Sequence, residues 1–385
     1  MKNLPSNSPL MPKKLLLVGA GHAHIGLLRQ LANKRFKNTN HDRDITVITE
    51  QPQTLYSGML PGWMAGHYHL DEISIDIVEL CSRAGVPLVQ RPIIAVDADK
   101  QTVATATKEC FDYEVLSLNT GADTDLTWLK QNSSEADTDI NEVIPVRPIS
   151  DFVEQWQQIL QQAKQTSHYK VAVVGAGAAA TELVMAAQFA LRQINANHHA
   201  YLVCGEHLLS GFDKVFSVRV IKQLQRHDIE IIYERATHYS EGELQASNKT
   251  LAVNAVIVAT GVMGSAWTAH TNLATVGKGF IAVNAKQQST SHANVFAVGD
   301  VSTRVDREMA HSGVHAVFGG KVEADNLIAY LADKPLNRYQ PKNRTLYLLS
   351  CGDKYAIGSW GKFSVQGHWV WQLKRYIDKR FVDAK

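Results

Sequence analysis

Lys14-Leu-Leu-Leu-Val-Gly-Ala-Gly-His-Ala-His24 decides the fold. An apolar run that ends in a glycine-rich turn and continues into a helical pattern is a βα unit. Gly19 permits the tight turn. Gly21 lets the backbone come close to a pyrophosphate, and the helix N-terminus offers it N–H donors and a positive dipole. The third position, normally Gly or Ala, is His24, a bulky group where helix and strand pack closely. The next strand pattern, Ile45–Thr49, ends at Glu50, where an acid usually binds ribose hydroxyls. The polar stretch 34–44 between them reads as a loop.

The same plan returns 156 residues later. Tyr169-Lys-Val-Ala-Val-Val174 runs into Gly175-Ala-Gly177-Ala178-Ala179-Ala180-Thr181-Glu182, with the usual Ala at the third position. Each copy is followed by a strand that ends in Thr-Gly (Thr120-Gly121, Thr260-Gly261). The next strand of the second copy ends Val203-Cys204-Gly205-Glu206, so its acid comes late. Three readings stay open there: a preference for NADPH, a ribose contact from Glu206, or a weak site. Further strand patterns fall at 92–96, 101–105, 115–118, 200–204, 229–233 and 255–259, with two more in 280–301. Tyr56–Tyr68 reads as an irregular segment over a site, and 124–142 as an exposed insertion. Pro145 and Pro148 mark a boundary. The fold class is α/β, with two Rossmann-like dinucleotide-binding domains, the second inserted in the first, and a C-terminal α+β segment. The boundaries are 11–148 with 273–335, then 149–272, then 336–385.

The 385 residues suffice for two or three domains. Hydrophobic residues at 45% and charged residues at 20% exclude disorder as the main character. Lys and Arg number 39 against 37 acids, a balance that speaks against nucleic acid as partner. The four cysteines (Cys81, Cys110, Cys204, Cys351) form no CxxC pair, which excludes a disulfide scaffold and speaks against structural zinc. His22 and His24, His67 and His69, and His311 and His315 form close pairs without a third ligand, so no metal is expected. Neither a signal-peptide core nor a run of membrane-spanning length is present, so the expected location is cytoplasmic, or peripheral on the inner face of a membrane. Residues 336–385 hold ten Lys/Arg and three Asp, a net of +7. Their last helical pattern sets Trp369, Leu373, Tyr376, Ile377 and Val382 against Lys374, Arg375, Lys379 and Arg380. Such a basic amphipathic helix docks on its own body, forms a homodimer, or makes peripheral membrane contact through 369–382.

Val295-Phe-Ala-Val-Gly299-Asp300-Val301 is the strongest signal, an apolar strand ending in Gly-Asp before a helix. With it, the order GxG, Thr-Gly, GxG, Ala-Thr-Gly, Gly-Asp resembles the pyridine nucleotide-disulfide oxidoreductase superfamily over roughly residues 13–385. Within it the chain is similar to the type II NADH dehydrogenase-like branch. It resembles most the flavoprotein module fused to selenide, water dikinase. Gly21–His24, Tyr56–Gly62, Leu118–Ala122 and Gly367–Phe381 carry that finer match.

The resemblance implies FAD on Gly19, Gly21, His22, Ala23, His24, Glu50, Thr120, Gly121, Ala122, Gly299, Asp300, Ser312, Gly313 and Val314. It implies NAD(P)H on Gly175, Gly177, Ala178, Ala179 and Gly261. Glu182 matches a helix glutamate near flavin and nicotinamide. The helix opening around 309–314 aims its N-terminus at the flavin, with His311 as a donor. The CxxxxC of disulfide reductases is replaced by Tyr56–Gly62, so no dithiol relays electrons there. Cys351 is the one thiol placed near a flavin face. The implied activity is that of an NAD(P)H dehydrogenase passing hydride equivalents through flavin to a quinone-like acceptor. The alternatives are sulfur or selenium redox chemistry, akin to sulfide:quinone reductase, and a flavin-binding module with a silent nucleotide site.

Overall fold

Leu15–Val18, Val171–Val174 and Ala255–Val258 are apolar at every position. Such runs must be covered on both faces, the environment of parallel strands flanked by helices. The computed structural model describes residues 13–33, 44–130, 142–311, 313–342 and 344–384. Its two parallel sheets use β1 (Lys14–Val18), β2 (Asp44–Thr49), β3 (Leu88–Gln90), β4 (Val115–Leu118), β5 (Val143–Pro145), β6 (Lys170–Val174), β7 (His199–Val203), β8 (Glu230–Ile232), β9 (Ala255–Val258) and β10 (Val295–Ala297). The helices that position the candidate site are α1 (His22–Ala32), α2 (Ala178–Ile194), α3 (Gly313–Leu331) and α4 (His368–Val382).

Contacts divide the chain into two units. The first comprises residues up to Thr54, Asp76–Gly121 and Gly264–Pro341. Its sheet has the order β10-β4-β1-β2-β3, all parallel. Leu16, Val18, Ile48, Leu116, Leu118 and Val295 fill one core against it. Helices α1 and α3 pack so closely that a Cβ on Gly320 would come within 2.5 Å of the Ala23 Cα. An antiparallel sheet of Ile93–Asp97, Thr102–Thr105 and Cys110–Asp112 belongs to the same unit.

The second unit comprises Leu55–Ile75, Ala122–Met263 and the residues from Lys342 on. Its parallel sheet has the order β5-β9-β6-β7-β8. Phe152, Trp156, Val184, Met185 and Phe216 are among the buried side chains of its core. It also holds two three-stranded antiparallel sheets, Ala236–Ser240 with Glu243–Ala246 and Lys249–Ala252, and Leu346–Ser350 with Ala356–Trp360 and Phe363–Gly367.

Three expectations change. Tyr56–Tyr68 is not irregular: Ser57–Met59 and Leu60–Met64 are short helical turns, and Met59, Leu60 and Met64 are buried. Residues 125–130 are not an exposed insertion, since Asp125 and Leu129 are buried and Thr127–Lys130 is helical; 131–141 lie outside the described residues, as do 34–43. Helix α4 is turned the other way from its sequence pattern. It buries Val370, Trp371, Lys374 and Asp378, while Trp369, Leu373, Tyr376 and Ile377 are exposed. The reason is the ion pair: Lys374 Nζ reaches Asp378 Oδ2 at 2.9 Å and the Gly58 carbonyl at 2.7 Å, which makes the polar face buriable.

Candidate functional site

Parallel α/β sheets bind ligands beyond the carboxyl ends of their strands, where the strand order reverses. In the first unit that point lies between β1 and β4, and three sequence motifs meet there. The Gly19 amide donates to the Ile48 carbonyl at 2.8 Å, Asn119 to Val18 at 2.8 Å, and Val298 to Leu118 at 3.1 Å. The glycine turn, Thr120-Gly121 and Gly299-Asp300 therefore lie side by side along one edge. Gly19 has φ +85°, and a Cβ on it would come within 2.5 Å of the Asn119 carbonyl. Only glycine fits that turn.

Asn119 binds the three motifs together. Its Oδ1 accepts from the amides of Ala23 (3.1 Å) and His24 (3.3 Å), capping the start of α1, while its Nδ2 donates to the Val298 carbonyl at 2.7 Å. The Thr54 hydroxyl adds a donor to the Ala20 carbonyl at 2.8 Å. Neither residue was among the sequence candidates. Asn119 stands inside the quoted Leu118–Ala122 motif, but its side-chain partners lie 96 and 179 residues away.

His22, Ala23 and His24 open α1, and Glu50 is exposed just past β2. The His24 ring lies where its place in the motif put it, in the close packing of helix and strand. It is buried, with Nδ1 at 2.5 Å from the Gly19 carbonyl. Gly313 and Val314 begin α3, and Ser312 lies outside the described residues. Asp300 opens onto a cleft that is also lined by Gln287, Arg304, His311, His315 and Tyr339. His311 Nε2 lies 2.9 Å from Thr303 Oγ1 and 3.2 Å from the Ser302 carbonyl, with its ring against Phe280. Arg304 holds Asp306 through two hydrogen bonds of 2.7 and 2.8 Å and donates to the Tyr339 carbonyl, which braces the cleft wall. Thr120 Oγ1 is buried without a hydrogen-bond partner, and beside it Gly121 (φ +83°) faces open space. An unpartnered hydroxyl, a backbone kept bare by glycine and an acid on a cleft fit a hydroxyl-rich dinucleotide.

In the second unit Gly175 (φ +151°) lies where a Cβ would meet the Ala259 carbonyl at 2.3 Å. Gly177 caps α2 with nothing within 4 Å of its Cβ direction, and Ala178 and Ala179 form the helix's first turn. Ala122 is buried, whereas Gly261 and Glu206 are exposed. Glu182, on the second turn of α2, accepts from the Ser350 amide at 2.7 Å. Burial drives its carboxyl above the usual range, against the Lys374 ammonium. Tyr56 donates to Asp378 at 3.3 Å, which ties the Tyr56 segment to the same group. Burial works against the Lys374 charge, yet Asp378 and Glu182 outweigh it and keep the ammonium. Two carboxyls thus share one cation: burial raises both, and the direct hydrogen bond from Lys374 opposes that rise at Asp378. Tyr56, Lys374 and Asp378 were not among the sequence candidates, because the pattern of α4 placed Lys374 on the solvent face.

Cys351 is fully buried, and its thiol is pushed up by burial, then by Glu182 and Asp353. Such a group is held as a thiol, the opposite of an activated thiolate. Among the described residues no group of three or more His, Cys, Asp or Glu is placed to hold a metal ion. No described helix is long and apolar enough to cross a membrane.

The family model described as pyridine nucleotide-disulphide oxidoreductase matches residues 13–317. An NADH oxidase from Methanocaldococcus jannaschii is 26% identical over 332 residues, covering 82% of this chain and 70% of its own. Among solved structures, sulfide:quinone oxidoreductase from Aquifex aeolicus superposes with a TM-score of 0.78 at 15% identity, over 97% of this chain and 92% of that one. NDH2 from Plasmodium falciparum in complex with NADH gives 0.76 at 13% identity, over 96% and 97%.

Proposed function

The chain belongs to the pyridine nucleotide-disulphide oxidoreductases, a family of FAD-dependent enzymes, and from that premise we propose that it is an NAD(P)H dehydrogenase passing reducing equivalents to a quinone or similar small acceptor. The observation that carries the reading is duplication. Each unit presents a glycine turn at the carboxyl edge of a parallel sheet, with a glycine whose Cβ would collide with backbone. We assign FAD to the first unit and NAD(P)H to the second. When bound, FAD accepts the hydride and passes electrons on.

The residues of this chain bind, orient and supply protons. Gly19, Gly21, Thr120 and Gly121 receive the FAD pyrophosphate and ribose region, with α1 directing its N-terminus there. Asp300 takes the ribityl hydroxyls, and His311 lines the same cleft. Gly175, Gly177 and α2 receive the nicotinamide nucleotide. Glu182, its carboxyl raised by burial against the pull of Lys374, is the proton holder for the acceptor. The exposed side chains Trp360, Phe363, Trp369 and Tyr376 stand beside Lys362 and Arg375 on the C-terminal hairpin and α4. That mixture supports peripheral attachment to the inner face of an anionic membrane, where quinones reside. The finer branch, the module fused to selenide, water dikinase, is supported by Gly21–His24 and Tyr56–Gly62. Sulfur or selenium chemistry needs a thiolate, and the burial of Cys351 opposes one.

The test is an anaerobic titration of the purified yellow protein with NADH, NADPH and sulfide in turn. Rapid bleaching by a nicotinamide nucleotide is the expected result. Bleaching by sulfide alone, lost in C351S, would install the sulfur reading in its place. A protein bleached by none of the three would leave the second glycine turn without a nucleotide.

A further inference from the structure

His24, Ser117 and Glu323 form a buried polar chain in the first unit, with exposures of 1%, 0% and 1%. His24 Nδ1 lies 2.5 Å from the Gly19 carbonyl, Nε2 lies 2.6 Å from Ser117 Oγ, and Ser117 Oγ lies 2.9 Å from Glu323 Oε1. The chain starts on the carbonyl of the turn glycine and ends on α3.

Proton counting fixes its state. A carbonyl only accepts, so Nδ1 carries a hydrogen. The two remaining contacts need one proton each, and the serine hydroxyl supplies one of them. The other sits on Glu323, which then donates to Ser117 while Ser117 donates to His24. The alternative puts it on His24 as an imidazolium facing a carboxylate. Burial favours the uncharged arrangement, pushing His24 down to about 4 and Glu323 up to about 8, with the hydrogen bonds of the chain opposing burial in each case. The other titratable groups on the elements packed around the chain are Lys14, His22, Arg29, Asp44, Glu79, Cys81, Arg83, Asp300, His315, Lys321, Asp325 and Tyr330. None of them shifts either member.

The consequence falls on the turn. The Gly19 amide is already held by Ile48, so the His24 bond pins the peptide that leads to Ala20 and Gly21. Turning that peptide redirects the backbone that meets a pyrophosphate. We propose that His24, Ser117 and Glu323 are positioning residues of the flavin site, a proton-sharing chain that fixes the Gly19 carbonyl and loosens the hold on FAD when it loses a proton. The proposal rests on the assignment of FAD to the first unit. It also accounts for a histidine where the motif has glycine or alanine: the ring takes up space between α1 and the sheet and returns a hydrogen bond to the turn.

The test follows FAD release from the purified holoprotein by the fluorescence of free flavin, from pH 6 to 9.5, with circular dichroism as the control for folding. In the wild type the dissociation constant is expected to rise about tenfold per pH unit above the Glu323 value of about 8. E323Q donates the same hydrogen bond without titrating, so it keeps tight binding and a flat profile. S117A and H24A weaken binding at every pH, by about tenfold or more. A flat wild-type profile, or S117A and H24A variants that hold FAD as the wild type does, overturns the proposal and leaves the FAD assignment standing. A wild-type protein without FAD at any pH overturns both.

Discussion

At the scale of single residues, Asn119 concentrates more of the candidate site than any glycine beside it. One carboxamide caps α1 with its oxygen and holds the Gly-Asp strand with its nitrogen. Loss of a buried partner costs about 1–3 kcal/mol per orphaned group. N119A is therefore expected to lower unfolding stability by about 3 kcal/mol and to strip the flavin on purification. N119D keeps an acceptor for the two amides but no donor for Val298, and should fall between N119A and the wild type. Urea midpoints and the ratio of flavin to protein absorbance measure both effects; an N119A protein as stable and as yellow as the wild type would refute the role. The glycines of the turns were legible in the sequence because their backbone demand is local. Asn119, Ser117 and Glu323 were not, because their partners are set by which strands become neighbours. Ser117 meets Glu323 across 206 residues of chain.

At the scale of elements, strand patterns were legible and helix orientation was not. Apolar runs such as Val171–Val174 announce a buried strand whatever surrounds them. Helix α4 offered an apolar face and a basic one, and the choice between them was made by Gly58 and Asp378, which gave Lys374 partners inside the unit. The outward face is then open to a test of membrane attachment. Replacing Trp369, Leu373, Tyr376 and Ile377 together by serine should change stability by no more than about 0.5 kcal/mol per site, since all four are exposed. The same variant should lose co-sedimentation with vesicles containing phosphatidylserine. K374M does the reverse: it leaves Asp378 buried without its cation and costs about 3–5 kcal/mol, while vesicle binding persists in whatever protein folds. Equal vesicle binding by the serine variant and the wild type would remove the membrane from the proposed function.

At the scale of the whole molecule, stability against pH carries the signature of two buried groups with opposite shifts. Glu323 holds its proton in the folded chain up to about 8, while the unfolded carboxyl releases it near the ordinary 4.5. Between those values the folded state binds more protons, so stability falls as pH rises, by up to about 5 kcal/mol across the window. His24 is neutral when folded down to about 4, whereas the unfolded imidazole protonates below 6.5. Below 6.5 the unfolded state binds more protons, so stability falls as pH drops, by up to about 3 kcal/mol. From about 4.5 to 6.5 the two slopes oppose each other and cancel. The pair alone thus gives a plateau there, with losses from 6.5 to 8 on one side and from 4.5 to 4 on the other. Urea midpoints of the wild type and E323Q, compared from pH 5 to 9, isolate the glutamate. The stability advantage of the wild type over E323Q should shrink steadily as the pH climbs to about 8 and stay constant beyond it. A difference independent of pH over that range would mean that Glu323 is already ionised in the folded protein. The neutral chain beneath the glycine turn would then be replaced by an imidazolium–carboxylate pair.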